Sequence, residues 1–303
     1  MIKDFYPNKA LHALRGQRVW LIGGNGYIAK RIIEYSDALN IELIVTSRDH
    51  RLGSVVLDLM DTPSFDFKQI KHGDFILHAA AISSPDLCSD PASDAFEVNV
   101  NGASKFLQGA IARGARVIFF SSDTVYGDQP GCLQETAECY PVGRYAEMKA
   151  SIEALFLGLK NFKSIRLSYV YSDNDKFTKY LADCAANNTD AMVFDALSRS
   201  VIHREDVVFG ILNLMSKWGQ TSESVINFGG PECLSRLDLA KAYSAALLTQ
   251  LKIKESEPPE GFFDNRPRVI NLQSDILKSL LERSPLSVTK ALEVHQINLL
   301  EVR

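Results

Sequence analysis

Ser122, Tyr145 and Lys149 have the types and the spacing to move a proton to and from a substrate. Tyr145 and Lys149 stand at i and i+4, so on a helix they share one face. Ser122 lies in the run Phe119-Phe-Ser-Ser-Asp-Thr-Val-Tyr-Gly-Asp128, where it would close a strand. A free tyrosine ionises at about pH 10, too high for ready exchange at neutrality, and a neighbouring ammonium favours the phenolate. Lys149 would supply that charge, while Ser122 donates to the same substrate oxygen and fixes its position. With hydride delivered to a carbonyl, Tyr145 would be the acid. A Tyr-x-x-x-Lys pair alone is a common accident. Its position is what makes it specific, because it opens a predicted helix, Tyr145 to Leu159, that follows a strand ending in hydroxyls.

The elements upstream explain what would hold this unit. Ala115-Arg-Val-Ile-Phe-Phe120 is the strand that delivers Ser121 and Ser122, and a long helical pattern from Ala92 to Gly114 precedes it. Residues 1 to 17 read as an arm or short helix, and the first buried strand is Arg18-Val-Trp-Leu-Ile22. Gly23-Gly-Asn-Gly-Tyr-Ile-Ala29 follows at once, then an amphipathic helix through Arg31 to Leu39. Strand, glycine turn and helix in that order suit a dinucleotide: the turn is tight, the backbone can approach a pyrophosphate, and the helix N-terminus presents free N–H groups. Gly23, Gly26, Tyr27 and Ile28 are the cofactor contacts expected there. The next strand, Ile41 to Thr46, ends about 20 residues beyond the glycines, where an acid would meet the ribose hydroxyls of NAD. The tip here is Thr46-Ser47-Arg48, and Ser47 with Arg48 suits a 2′-phosphate. NADP(H) is therefore favoured; Asp49, one residue on, keeps NAD(H) open.

Asp58 and Leu59 would lie by the adenine, and Phe75-Ile-Leu-His-Ala-Ala-Ala81 reads as a further buried strand whose Ala79 and Ala80 let the cofactor pass close. His78 reads as structural. Tyr145 and Lys149 would also touch the nicotinamide end. The loop Ser83 to Pro91, at a strand's carboxyl end, is a candidate substrate loop beginning with Ser83. Strands alternate with helices throughout, so the expected class is α/β with a doubly wound parallel sheet (Rossmann).

Taken together, Gly-Gly-Asn-Gly-Tyr-Ile-Ala, His-Ala-Ala, Ser-Ser-Asp-Thr-Val-Tyr-Gly and Tyr-Ala-Glu-Met-Lys resemble an extended short-chain dehydrogenase/reductase of the NAD-dependent epimerase/dehydratase superfamily, over nearly the whole chain. Sugar-nucleotide dehydratases of that superfamily carry Thr-Asp-Glu where this chain has Ser122-Asp123-Thr124, and the missing glutamate counts against dehydration. Arg166-Leu-Ser-Tyr-Val-Tyr171 followed by Phe177 is similar to the pattern of dTDP-4-dehydrorhamnose reductases. Ser198-Arg-Ser-Val-Ile-His-Arg-Glu-Asp-Val207 resembles the segment whose arginine contacts a substrate diphosphate, here Arg199, and Asn265-Arg-Pro-Arg268 resembles a second such site, with Arg266. The resemblance implies NADPH-dependent reduction of a nucleotide-linked 4-keto-6-deoxy sugar, with Ser83, Asp123, Thr124, Arg199 and Arg266 toward the substrate, and a homodimer as the family-level expectation. Ala29 for the third glycine, Tyr169 for a tryptophan and Ser172 for a glycine depart from the pattern and leave the sugar open.

Beyond about residue 173 the alternation loosens. Residues 1–172 and 199–231 read as the Rossmann part, and 173–198 with 232–303 as a smaller, discontinuous C-terminal substrate-binding cap. Ser235-x-x-Asp238 is a helix start with serine as N-cap, and Glu255-Ser-Glu-Pro-Pro-Glu-Gly261 a connector. With 303 residues, 46% of them hydrophobic, the chain can bury a substantial core. Thirty-three basic against thirty-seven acidic residues, in no long single-sign run, point away from nucleic acid and anionic membranes and toward a small molecule. Five scattered cysteines without a Cys-x-x-Cys pair argue against a disulfide framework or a metal site. No apolar run is long enough for a membrane span, and the N-terminus lacks a signal's apolar core, so a soluble, cytoplasmic protein is expected. Two other readings are an epimerase that retains NAD and a non-catalytic nucleotide-binding regulatory subunit.

Overall fold

A computed structural model describes residues 13–48 and 54–293. The greater part of the expected N-terminal arm, and Asp49, lie outside the described residues. Seven strands form one parallel sheet: β1 (Arg18–Ile22), β2 (Glu42–Ser47), β3 (Val55–Val56), β4 (Phe75–His78), β5 (Arg116–Ser122), β6 (Phe162–Leu167) and β10 (Val225–Phe228). Their order is β10-β6-β5-β4-β1-β2-β3. The chain therefore runs outward from β1 in one direction, returns to β4, and runs outward in the other. The carboxyl ends of β1 and β4 mark that reversal, where open α/β sheets bind ligands.

Period-two alternation along each strand supplies two apolar faces. Leu21, Phe75, Leu77, Ile118, Phe120, Ile165 and Phe228 pack on one side, against α1 (Tyr27–Leu39) and, later in the chain, α6 (Arg204–Ser216). Trp20, Ile22, Ile76, Val117, Phe119 and Phe162 pack on the other, with Phe106, Ile152 and Phe156. Those last three come from α3 (Ala103–Ala112) and α4 (Arg144–Phe156); the short α2 (Pro85–Ser89) precedes them. Four of the five residues of β1 are buried, as a strand covered on both faces requires.

The helix expected from Ala92 to Gly114 is interrupted by a widened, π-helical turn over Glu97–Gly102 before α3 begins. Two contacts account for it. Asn99 uses its amide to hold both the N–H and the carbonyl of Ile82, and Gly102 meets the Leu59 carbonyl so closely that a Cβ would come within 1.8 Å of it.

The rest of the chain builds a second layer. Strand β7 (Val170–Tyr171) pairs with β9 (Ser198–His203), which lies between β11 (Glu232–Ser235) and β13 (Val269–Ile270); β8 (Asp190–Val193) pairs with β12 (Lys252–Glu255). Tyr171, Phe177, Leu181, Val193, Leu237 and Tyr243 form its core, with α5 (Lys176–Ala186) and α7 (Arg236–Ala246) as walls. Of residues 199–231, expected in the Rossmann part, β9 runs in the second sheet, and α6 and β10 return to the first. Ser235 and Asp238 form the expected capping box, and α8 (Asp275–Leu281) closes the far edge beside β10. No helix among the described residues is long and apolar enough to cross a membrane.

His78 ends β4 with both ring nitrogens buried and unpartnered, between the rings of Phe106 and Phe119. Burial, helped by the charge of Lys149, pushes its pKa down to about 3. The unfolded chain takes up a proton near 6.5 and the folded one does not until about 3, so stability falls as pH drops through that window, by up to about 1.4 kcal/mol per pH unit. Between pH 7 and 5 the urea-unfolding free energy of the wild type should fall by about 2 kcal/mol more than that of His78→Leu. Equal pH dependence in the two proteins would mean that the ring titrates in the folded chain as it does in the unfolded one, and that burial does not keep it neutral.

Candidate active site

A groove of about 340 Å³ opens at the carboxyl ends of β1, β2 and β4. Gly23 bends the chain at φ 89°, with Ala80 so near that a Cβ would stand 2.7 Å from its Cα; only glycine fits. Helix α1 then begins without a side-chain cap and without an acid in its first turn, leaving its N–H groups and dipole facing the groove. Gly26, Ala79, Ala80 and Leu59 line it, and Ser47 and the exposed Arg48 form its rim. Asp58 also lines it, its carboxylate accepting the Met60 N–H at 2.9 Å. This donor set fits a dinucleotide: helix N–H groups for the pyrophosphate and a guanidinium at the ribose end. Tyr27 and Ile28, expected beside the cofactor, turn their side chains elsewhere. The Tyr27 hydroxyl donates to Ser172 Oγ at 2.5 Å under the guanidinium of Arg204, and Ile28 packs into the core.

The loop after β4 serves two spaces. Ala79 to Ile82 line the groove, while Ser83 and Pro85 line an adjoining cleft of about 380 Å³ together with Thr124, Tyr145, Arg199 and Arg266. Tyr145 comes from the first turn of α4. Its phenol is pushed above the ordinary tyrosine range by burial, with the Cys88 thiol and the Asp123 carboxyl adding to the effect. Lys149, one turn on, is buried and donates to the Phe120 carbonyl at 2.7 Å, its ammonium 4.7 Å from the Phe119 ring and 5.8 Å from that of Tyr145. Burial pushes it down to about 8, against the opposing pull of Cys88 and Glu153. Against the expectation that Lys149 favours the phenolate of Tyr145, burial, Cys88 and Asp123 act the other way on the phenol in the folded chain.

Ser122 does not line the cleft. It caps the 3-10 turn Asp123–Tyr126, and its hydroxyl accepts from Thr124 Oγ1 at 2.9 Å and donates to Asp123 at 3.3 Å. Thr124 is the hydroxyl on the surface of the cleft, with Ser122 behind it. The buried Asp123 also accepts from Ser168 Oγ at 2.8 Å and lies 3.6 Å from Arg199 Nε. Burial raises its pKa, and Arg199, Ser168 and Ser122 oppose that rise.

Both arginines expected to face a diphosphate have protein partners. Arg199 donates to the carbonyls of Ser198, Pro267 and Arg268. Arg266 grips both carboxylate oxygens of Asp86 at 2.8 Å, spanning the mouth of the cleft from the end of the chain to α2. Arg166, which carries part of the reductase-like pattern, pairs with Glu153 inside the core and supports the framework. Arg236 also lines the cleft. The sequence marks that position only as the residue after a helix cap, and its charge became meaningful only once β9 brought Arg199 beside it. No group of three or more His, Cys, Asp or Glu side chains among the described residues is placed to hold a metal ion.

A model of the NAD dependent epimerase/dehydratase family matches residues 19–229. A dTDP-4-dehydrorhamnose reductase of Aggregatibacter actinomycetemcomitans is 28% identical over 224 residues, covering 72% of this chain and 71% of its own. Among solved structures, a hypothetical dTDP-4-dehydrorhamnose reductase from Sulfolobus tokodaii aligns with a TM-score of 0.77 at 21% identity, over 90% of this chain and 98% of that one. The UDP-glucose 4-epimerase of Thermus thermophilus, in complex with NAD, aligns with a TM-score of 0.74 at 19% identity, over 91% and 98%. These two structural likenesses are likenesses of fold.

Removing one partner of a buried ion pair strands the other. Arg199→Ala should therefore lose about 3 kcal/mol of urea-unfolding stability at pH 7. Asp123 already has its folded pKa raised, and without Arg199 the rise is larger. The native carboxyl then takes up a proton before the unfolded one does, so the deficit should shrink as pH falls, and adding Asp123→Asn should recover part of it. A deficit that is the same from pH 7 to pH 5 would exclude Asp123 as the stranded group.

Proposed function

The chain belongs to the NAD dependent epimerase/dehydratase family, and on that premise we propose that it is an NADPH-dependent reductase of a nucleotide-linked 4-keto-6-deoxy sugar. The observation that carries this reading is the placement of Tyr145, one turn before the buried Lys149, in the cleft that adjoins the dinucleotide groove. The phenol carries a proton to give, and the Lys149 ammonium one turn on favours the phenolate that is left once it is given. The curated relative named as a dTDP-4-dehydrorhamnose reductase supports the same class, as do Ser122-Asp123-Thr124 in place of a dehydratase's glutamate and the Arg166 to Tyr171 pattern.

A nicotinamide held in the groove would supply the hydride, and the protein's own groups would handle the proton. Tyr145 gives its proton to the carbonyl oxygen, at a wall where Thr124, its hydroxyl proton held by Ser122, presents an oxygen to the substrate. The phenolate left on Tyr145 is stabilised by the ammonium of Lys149 behind it and regains its proton from water. Arg48 and Ser47 hold the 2′-phosphate that distinguishes NADPH from NADH.

Purified protein should oxidise NADPH when given freshly made dTDP-, GDP- or UDP-linked 4-keto-6-deoxy sugars. Inactivity across that panel, or NAD carried tightly through purification, would replace this reading with an epimerase that retains its cofactor. Tyr145→Phe should lower kcat by about 100- to 10,000-fold with NADPH binding intact. Because the Lys149 ammonium is present below its pKa of about 8 and lost above it, kcat should fall on the alkaline side with an apparent pKa near 8. Arg48→Ala should raise the Kd for NADPH much more than that for NADH; equal weakening would leave the 2′-phosphate contact unsupported.

A further inference from the structure

Arg236 differs from the other two arginines of the cleft in what surrounds it. It is the first residue of α7, and its guanidinium lies among three rings, 5.4 Å from the centre of Phe177, 5.9 Å from Phe194 and 6.0 Å from Tyr169. Its Nε is buried and has no hydrogen-bond partner. No carboxylate among the described residues forms an ion pair with it, whereas Arg199 has Asp123 and three carbonyls, and Arg266 has Asp86. Its charge lies close enough to Arg199 to add, weakly, to the lowering that burial causes there. Arg199 has Asp123 beside it and Asp128 within electrostatic reach, so the positive charge left over beside it at this wall is that of Arg236.

The same side chain also borders a second pocket of about 360 Å³, which Tyr169, Phe177, Tyr180 and Phe194 line. A ligand that reaches from Tyr145 into that aromatic pocket therefore passes the guanidinium. Rings over an arginine occupy its faces and leave its edge, where the paired donors lie, for an acceptor in plane. Phosphate oxygens match that edge with two parallel hydrogen bonds.

We propose that Arg236 is a further substrate contact, taking the diphosphate of the nucleotide sugar between the cleft of Tyr145 and the aromatic pocket. This rests on the nucleotide-sugar reading of the same site and adds to it the residue that supplies free charge. The alternative role for Arg236 is packing, in which stacking on three rings is its whole contribution.

Calorimetric titration of the full chain, loaded with NADP, with dTDP, UDP and GDP separates the two. Arg236→Met should bind the preferred diphosphate about ten- to a hundredfold more weakly, with the Kd for NADPH and the melting temperature close to wild type. Its Kd should also respond less steeply to added salt, since one phosphate contact is gone. Arg236→Lys, which keeps the charge without the fork, should fall between the two. Unchanged diphosphate affinity in Arg236→Met, or a loss matched by an equal loss of NADPH affinity and stability, would overturn the proposal in favour of packing. Wild-type protein that binds none of the three diphosphates would overturn it together with the nucleotide-sugar reading. Diphosphate binding lost in Arg236→Met, in a protein that reduces no 4-keto sugar, would support this contact and remove only the reductase assignment.

Discussion

The two layers of this protein meet at one buried carboxylate. Asp123 follows the last residue of β5, almost fully enclosed, and is held by Ser122 from its own strand, Ser168 just beyond β6 and Arg199 from β9 in the second sheet. Arg199 in turn gathers the carbonyls of Pro267 and Arg268, so the segment that carries Arg266 is fixed relative to the central strand. An ionised carboxylate in such a place is tolerable only while every one of these partners is present. The consequence reaches the chemistry. The Thr124 hydroxyl on the cleft surface is oriented by Ser122, which is itself oriented by Asp123, so the position of one exposed oxygen depends on the docking of the second sheet.

Burial also sets the electrostatics of the cleft, and it does so against the simplest reading of the Tyr-x-x-x-Lys spacing. That spacing does place both residues on one face of α4. What it cannot convey is where each head group stops: Lys149 bends to the Phe120 carbonyl and the Phe119 ring, while burial, with Cys88 and Asp123 nearby, holds the Tyr145 phenol above its ordinary range. A protonated phenol beside an ammonium that titrates near 8 is an arrangement for donating a proton at neutral pH.

Much of this was legible because buried parallel strands and glycine turns leave local signatures. Arg18 to Ile22, the glycines from Gly23, and the strand ending at Ser122 all fall where hydrophobic runs and their punctuation put them. The second layer left no comparable mark. Strands β7 and β13 are two residues long, too short for a period, and β9 finds its partners more than 30 residues ahead at β11 and some 70 ahead at β13. Its assignment to the first sheet failed for that reason. The π-helical turn at Glu97 to Gly102 was hidden likewise, since it answers to Ile82 and Leu59 rather than to its own sequence.

Charge at the cleft wall follows the same division between local and long-range causes. Arg199 and Arg266 stand in recognisable segments, yet both spend their donors on the protein: one secures Asp123 and the turn at Pro267, the other bridges to Asp86 on α2. Arg266 is the more exchangeable of the two, because the carboxylate it grips is exposed and can return to water at little cost. An anion that displaced Asp86 would free α2 from the far side of the cleft, whereas an anion competing for Arg199 would have to unseat a buried carboxylate. An anion binding at this wall would draw first on the cations whose release costs least. Among the described residues Arg236 has no paired acid to release, which would place it ahead of both.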